Sequence, residues 1–199
     1  MRGYAKHTIR ALLCTLPTLV AWTPANPTLT LQPQSRLWVR GTSTVRDFEC
    51  RATAFDVRVE AAPNAVTGVL AGEQAVTTAS VRVPADRLDC GNGKMNDHMW
   101  KALKRQQYPD IAFRLTGYET ATASAGVQGT VTGVLALGGV ERTITLQGNA
   151  VAAPDGALRV TGTHELRMSE YGLKAPTLMM GTLKVGDRVT VAFDLLLKD

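Results

Sequence analysis

Along most of the chain, apolar and polar side chains alternate one by one, the two-residue period of a half-buried β-strand. Near the C-terminus, Val189, Val191, Phe193, Leu195 and Leu197 fall on one face, and Arg188, Thr190, Asp194 and Lys198 on the other. Ala192 and Leu196 make that second face less polar than strict alternation would. Leu158, Val160, Gly162, His164 and Leu166 alternate with Arg159, Thr161, Thr163, Glu165 and Arg167. Shorter runs place Phe55, Val57 and Val59 together, then Ile111, Phe113 and Leu115, then Val131, Gly133, Leu135 and Leu137, with Ile144 and Leu146 following. Gly138-Gly139 and Asp155-Gly156 read as tight hairpin turns. Ala71-Gly72-Glu73 is expected to turn between strands over 66–70 and 75–83, and Val185-Gly186-Asp187 to precede the last strand. Residues 93–107 depart from the alternation: Met95, Met99 and Leu103 recur every four residues, the stripe of a short helix, and Pro109 stops it. A second irregular stretch, 168–180, reads as a loop with one helical turn.

Short strands joined by tight turns pair antiparallel. About eight of them close a barrel wide enough for its own side chains or one small ligand, and closure removes exposed edges. The pattern therefore predicts a single all-β domain, an antiparallel barrel of about eight strands with one short helix before the Pro109 strand. The last strand is long and apolar enough to need a partner on each side. Gly133 and Gly162 fall on inward faces, where a missing side chain leaves room inside or marks a bulge or a crowded corner.

The length of 199 residues fits one domain. Its beginning reads as an export signal over 1–25: Arg2, Lys6 and Arg10 precede an uncharged run from Ala11 to Trp22, and Thr23-Pro24-Ala25 supplies a small-x-small cleavage site. The barrel then occupies 26–199, and the protein is expected in the periplasm or outside the cell. The formal net charge of +5 is largely this signal, since it holds three of the 22 Lys/Arg and none of the 17 Asp/Glu. Lys101, Lys104 and Arg105 form the one dense basic run, which a solvated helix face explains, so no nucleic-acid partner is expected. No segment after the signal could span a bilayer. Beyond the signal stand Cys50 and Cys90, an even pair for which a disulfide is the first reading in an oxidising compartment. Two free buried thiols, or a metal site with His98, are the alternatives. No metal is expected, because no C-x-x-C or H-x-x-H spacing is present.

Several segments together resemble the YceI-like family. Tyr108-Pro109-Asp110-Ile111-Ala112-Phe113 is similar to its P-x-I-x-F signature. Gly133 to Ile144 is similar to its G-x-L-x-L-x-G-V hairpin, Ser169 to Thr177 to its late loop, Val185 to Val189 to its run into the final strand, and Leu37 to Phe48 to its opening strand and first bend. Two segments depart from the commoner pattern: Val45-Arg46-Asp47 lacks a histidine, and Lys94 to Trp100 replaces an acidic helix. The cysteine pair resembles a cysteine-bearing branch. The resemblance implies an extended lipocalin-like barrel that holds a polyisoprenoid tail, as of an isoprenoid quinone or a prenyl pyrophosphate.

The residues carry no marked catalytic apparatus: there is no G-x-S-x-G elbow, no Gly-rich phosphate loop before a helix and no suggestive carboxylate pair. The expectation is a non-enzymatic carrier or sequestering protein, without cofactor, whose partner is an apolar lipid; a homodimer is compatible with it. Inward-facing candidates for the ligand wall are Phe55, Val57, Val81, Ile111, Phe113, Leu115, Leu135, Ile144, Leu146, Val160 and Phe193. His164 is either a hydrogen-bonded interior histidine or a contact to a ligand head group. Met179, beside Met180, is placed near the tunnel, and Tyr171, Arg40 or Arg46 near a mouth. The rival reading is an exported structural module whose barrel is filled and whose outer surface binds a protein.

Overall fold

The computed structural model describes residues 27–178 and 182–199. The expected signal, 1–25, lies outside the described residues, and so do Met179 and Met180. The strands are β1 (Thr28–Leu31), β2 (Arg36–Ser43), β3 (Phe48–Ala52), β4 (Asp56–Ala61), β5 (Val76–Pro84), β6 (Leu88–Asp89), β7 (Asp110–Ala123), β8 (Gly126–Leu137), β9 (Val140–Ala152), β10 (Leu158–Arg167), β11 (Thr177–Leu178) and β12 (Leu183–Lys198). Among the described residues there are two short α-helices, α1 (Ala65–Leu70) and α2 (Gly93–Ala102).

Eight strands close an antiparallel barrel in the order β1, β4, β5, β7, β8, β9, β10 and β12, and β12 returns to β1. The expected barrel is therefore the observed one. The last strand has a partner on each side, as its apolar content required. One edge of β12 pairs with β10 from Leu158↔Leu197 to Arg167↔Arg188. Its other edge is shared: Leu197 and Lys198 pair with β1, while Val189 to Asp194 pair with β2. From β2 the sheet continues to β3 and then to the two-residue β6, which extends the wall at one end.

Two local expectations are corrected. Residues 66–70 form α1, not a strand. A five-residue apolar run is too short to separate the two periods, and Asn64, at φ 59, turns the chain into a helix that buries Ala65, Val66 and Val69. Gly72, at φ 83, then turns it into β5. Residues 185–187, expected as a turn before the last strand, lie within β12, where the register against β2 shifts between Val185 and Val189. The chain does not reverse there because Thr44 holds the strand on both sides of the ladder. Its amide donates to the Lys184 carbonyl at 3.0 Å, and its hydroxyl accepts from the Lys184 amide at 3.2 Å. Asp187 is turned aside instead, accepting from the Ser169 amide at 2.8 Å and the Ser169 hydroxyl at 2.6 Å.

The expected Gly138-Gly139 hairpin is present, with φ of 58° and 85° joining β8 to β9. α2 starts where the Asn92 side chain accepts from the Met95 amide at 3.1 Å and ends at Ala102, a turn earlier than 107, because Lys104 takes a φ of 57°. Cys50 on β3 and Cys90 just before α2 form a disulfide. This is the first of the three cysteine readings. It ties the beginning of the helix to the barrel wall across a sequence separation of 40.

That bridge closes a long loop. A Cys50→Ala/Cys90→Ala double variant is expected to unfold with about 3–4 kcal/mol less stability in a denaturant titration. The wild-type chain under reducing conditions should match the variant.

Candidate functional site

A cavity of about 860 Å³ occupies the barrel. Its wall follows directly from register, because residues opposite each other on antiparallel strands face the same way. Val57, Val81, Phe113 and Leu135 form one continuous row across β4, β5, β7 and β8, and all four line the cavity. His164, Val191, Val39 and Cys50 form a second row across β10, β12, β2 and β3, so that one inner row ends on the disulfide. Ile111, Leu115, Ile144, Leu146, Val160 and Phe193 complete the expected wall positions, and each lines the cavity.

Two expected residues, Phe55 and Tyr171, lie elsewhere. Phe55 is half-buried in the β3–β4 connection, just before β4, and is not part of the wall. Tyr171 is 1% exposed and packs with Leu137, Leu166, Leu173 and Val189 instead of lining a mouth. The Arg142 guanidinium lies 5.9 Å from its ring centre, and burial pushes its phenol pKa up. Met179 lies outside the described residues. Of the arginines, Arg46 lines the cavity, whereas Arg40 points outward to Glu49 at 2.9 Å.

The two ends differ. At the α1 end Leu29, Val59, Val127, Leu158 and Leu197 are buried at 2–6% exposure and pack with Ala65 and Val66 into a floor. At the other end the cavity reaches Val45, which is 69% exposed, between the β2–β3 turn and α2. Met95, His98, Met99, Ala102 and Leu103 of the α2 segment line it, at the spacing of one helix face. That methionine stripe was visible in the sequence. Period two likewise marked Val131, which directly opposes Leu146 and lines the cavity. Ser43, Val45, Asn92 and Lys94 at the mouth carried no such signal. Among the described residues, the lining contains no Asp or Glu side chain.

Glycine shapes the lumen in two ways. Gly129, Gly148 and Gly162 stand opposite one another across β8, β9 and β10, and Gly162 in turn opposes Phe193 on β12. A Cβ at Gly162 would lie 2.4 Å from the Phe193 ring, and one at Gly133 2.3 Å from the Phe113 ring. The rings thus occupy the places of missing side chains and lie along the wall. At Gly129 and Gly148 a Cβ would meet nothing nearer than backbone at 3.5 Å, so those two leave open lumen.

Besides the phenol of Tyr118, His164 is the titratable side chain that lines the cavity away from its mouth among the described residues. Burial, which penalises the charged form, lowers its pKa from the ordinary 6.5. The charges of Glu165 and Glu170 and a hydrogen bond to the Thr145 backbone oppose that shift and do not cancel it. The imidazole is accordingly neutral at neutral pH, a polar but uncharged point in an apolar wall.

The YceI-like domain model matches residues 33–197. The chain belongs to the YceI-like family. Solved structures share the fold at low identity. BcnA of Burkholderia cenocepacia superposes with a TM-score of 0.64 at 18% identity, covering 82% of this chain and 96% of that one. A polyisoprenoid binding domain from Saccharophagus degradans, implicated in plant cell wall breakdown, gives 0.60 at 15% identity over 86% and 97%. The YceI protein of Campylobacter jejuni gives 0.57 at 15% identity over 75% and 84%. No protein of curated function matches the chain.

Two outcomes follow from this wall. Gly162→Ala should destabilise the YceI-like barrel by about 1–3 kcal/mol through overpacking, whereas Gly148→Ala should cost much less; denaturant midpoints compare them, and Phe193→Leu should relieve the first in a double-mutant cycle. For His164 the sign is set by its lowered pKa: below 6.5 the unfolded chain binds a proton that the folded chain refuses, so stability falls as pH drops. His164→Gln should flatten that part of the profile, read from urea midpoints at about pH 7.5 and about pH 5.5.

Proposed function

We propose that the protein holds an apolar lipid with an isoprenoid-like tail in its barrel and carries or sequesters it without chemical change, in the periplasm or outside the cell. The observation that carries this reading is the cavity itself: continuous, walled by apolar side chains, free of carboxylates, floored by packed core at one end and open at the other. Each CH₂ moved from water into such a wall contributes about 0.8 kcal/mol, so a long tail needs few polar contacts to bind. The described polyisoprenoid binding domain of S. degradans, built on the same fold, supports the tail class. The open lumen weighs against a filled barrel that serves only as an interaction module. Export is supported by the basic and apolar stretches of 1–25 and by the Cys50–Cys90 bridge, which persists in oxidising compartments.

Native mass spectrometry of the protein purified from its own envelope fraction, followed by lipid extraction, tests the carrier reading. A co-purifying lipid, or uptake of an added long-chain isoprenoid quinone, is expected. An empty protein that takes up none overturns the reading. Leu146→Trp, which puts a bulky ring into the lumen, should lower quinone uptake by about tenfold or more while the chain still folds. N-terminal sequencing of the envelope protein should begin near residue 26; an intact Met1 there would overturn cleavage.

A further inference from the structure

The mouth of the barrel differs from its wall in how charge is arranged. Every described ion pair lies elsewhere: Glu49 with Arg40 and Arg51, Arg82 with Asp56 and Asp110, Arg87 with Asp86, Arg159 with Asp194, and Arg188 with Glu165. The segments that frame the mouth, 43–48 and 92–105, carry five cations, Arg46, Lys94, Lys101, Lys104 and Arg105, against the two carboxylates Asp47 and Asp97. None of the seven enters a described ion pair. Lys94, His98 and Lys101 recur at i, i+4 and i+7, which places them along one side of α2. At the same mouth as Arg46 and Lys94 stands Val45, at 69% the more exposed of the two large exposed hydrophobic residues described. Scattered apolar residues on a surface mean little by themselves. This one is distinguished by its place, at the lip of an apolar cavity and next to an unpaired arginine that also lines it.

We propose that this mouth docks on an anionic bilayer surface, with Val45 entering the interface and Arg46, Lys94 and Lys101 meeting lipid phosphates. An apolar tip beside basic side chains is the arrangement by which a protein lies reversibly on such a membrane. The carrier reading supplies its purpose: docked mouth-down, the cavity opens on to the phase where long-tailed lipids reside, and a tail passes between bilayer and barrel without crossing water. Docking itself is measured without any lipid in the barrel, so the two readings can fail separately.

The test is flotation of the purified, lipid-free chain with vesicles of phosphatidylcholine, alone or containing about a third phosphatidylglycerol. Binding to the anionic vesicles, much weaker binding to the neutral ones, and release by salt are expected. Lys101→Glu should weaken partition by about fivefold or more, the effect of roughly one basic residue at the surface, and Val45→Asp should weaken it also. Lys198→Glu, exposed at the opposite end of the barrel and equal in charge change, should leave partition unaltered. Equal partition of the wild type into neutral and anionic vesicles overturns the proposal. So does a loss with Lys198→Glu as large as with Lys101→Glu, which would make the effect one of overall charge. Quinone uptake from detergent micelles, measured on the wild type and on Lys101→Glu, should be the same for both. If the wild type takes up none, the carrier reading fails while the flotation result stands.

Discussion

The barrel depends on one strand having two usable edges. β12 is apolar on its inner face and gives residues 188–197 to β10 on one edge, while its other edge is divided between β1 and β2. Without that division the sheet would have to choose between closing and extending. With it, the β1 end closes the ring, and the β2 end carries β3 and β6 outward to meet α2. The closed end and the open end of the cavity are thus two consequences of one pairing. The bulge between Val185 and Val189 belongs to the same arrangement, since it lets β12 follow β2 after the strand has left the ring.

Alternation then determines what the closed sheet encloses. Inward positions on the barrel strands are mostly apolar, which would ordinarily fill an eight-stranded ring. Two devices keep it open. Phe113 and Phe193 lie over glycines, so their bulk is taken up in the wall, and Gly129 with Gly148 contributes no side chain at all. Polar groups are held to the rim, apart from His164 and a few amides and hydroxyls. Burial keeps His164 from carrying charge at neutral pH.

Much of this was legible in the sequence because period two is a local signal. The strands of the wall, the Gly138-Gly139 hairpin, the two-sided last strand and most of the lining residues follow from it. What was not legible depends on tertiary context. Residues 66–70 are too few to declare a helical period, and only the burial of Val66 and Val69 against the barrel's end makes them α1. Tyr171 reads as a rim residue from its loop, yet Ser169 and Asp187 pin that loop to β12 and bring the ring into a core cluster. Gly133 and Gly162 read either as gaps or as crowded corners, and the phenyl rings that crowd them come from other strands. The mouth was hardest to see, since Ser43, Val45, Asn92 and Lys94 share no periodicity and meet only through the fold.

The packed floor of Leu29, Val127, Leu158 and Leu197 has a consequence of its own. A lumen open at both ends would let a chain of any length slide through. A lumen with a floor is a depth gauge. A tail held as proposed would enter at Val45 and stop at that floor, and any carbons beyond the available depth would remain outside the rim, where the wall contributes nothing to holding them. On the proposed carrier function, the position of the floor would set a preferred tail length, and the α1 segment that seals it, not the mouth, is where that length would change.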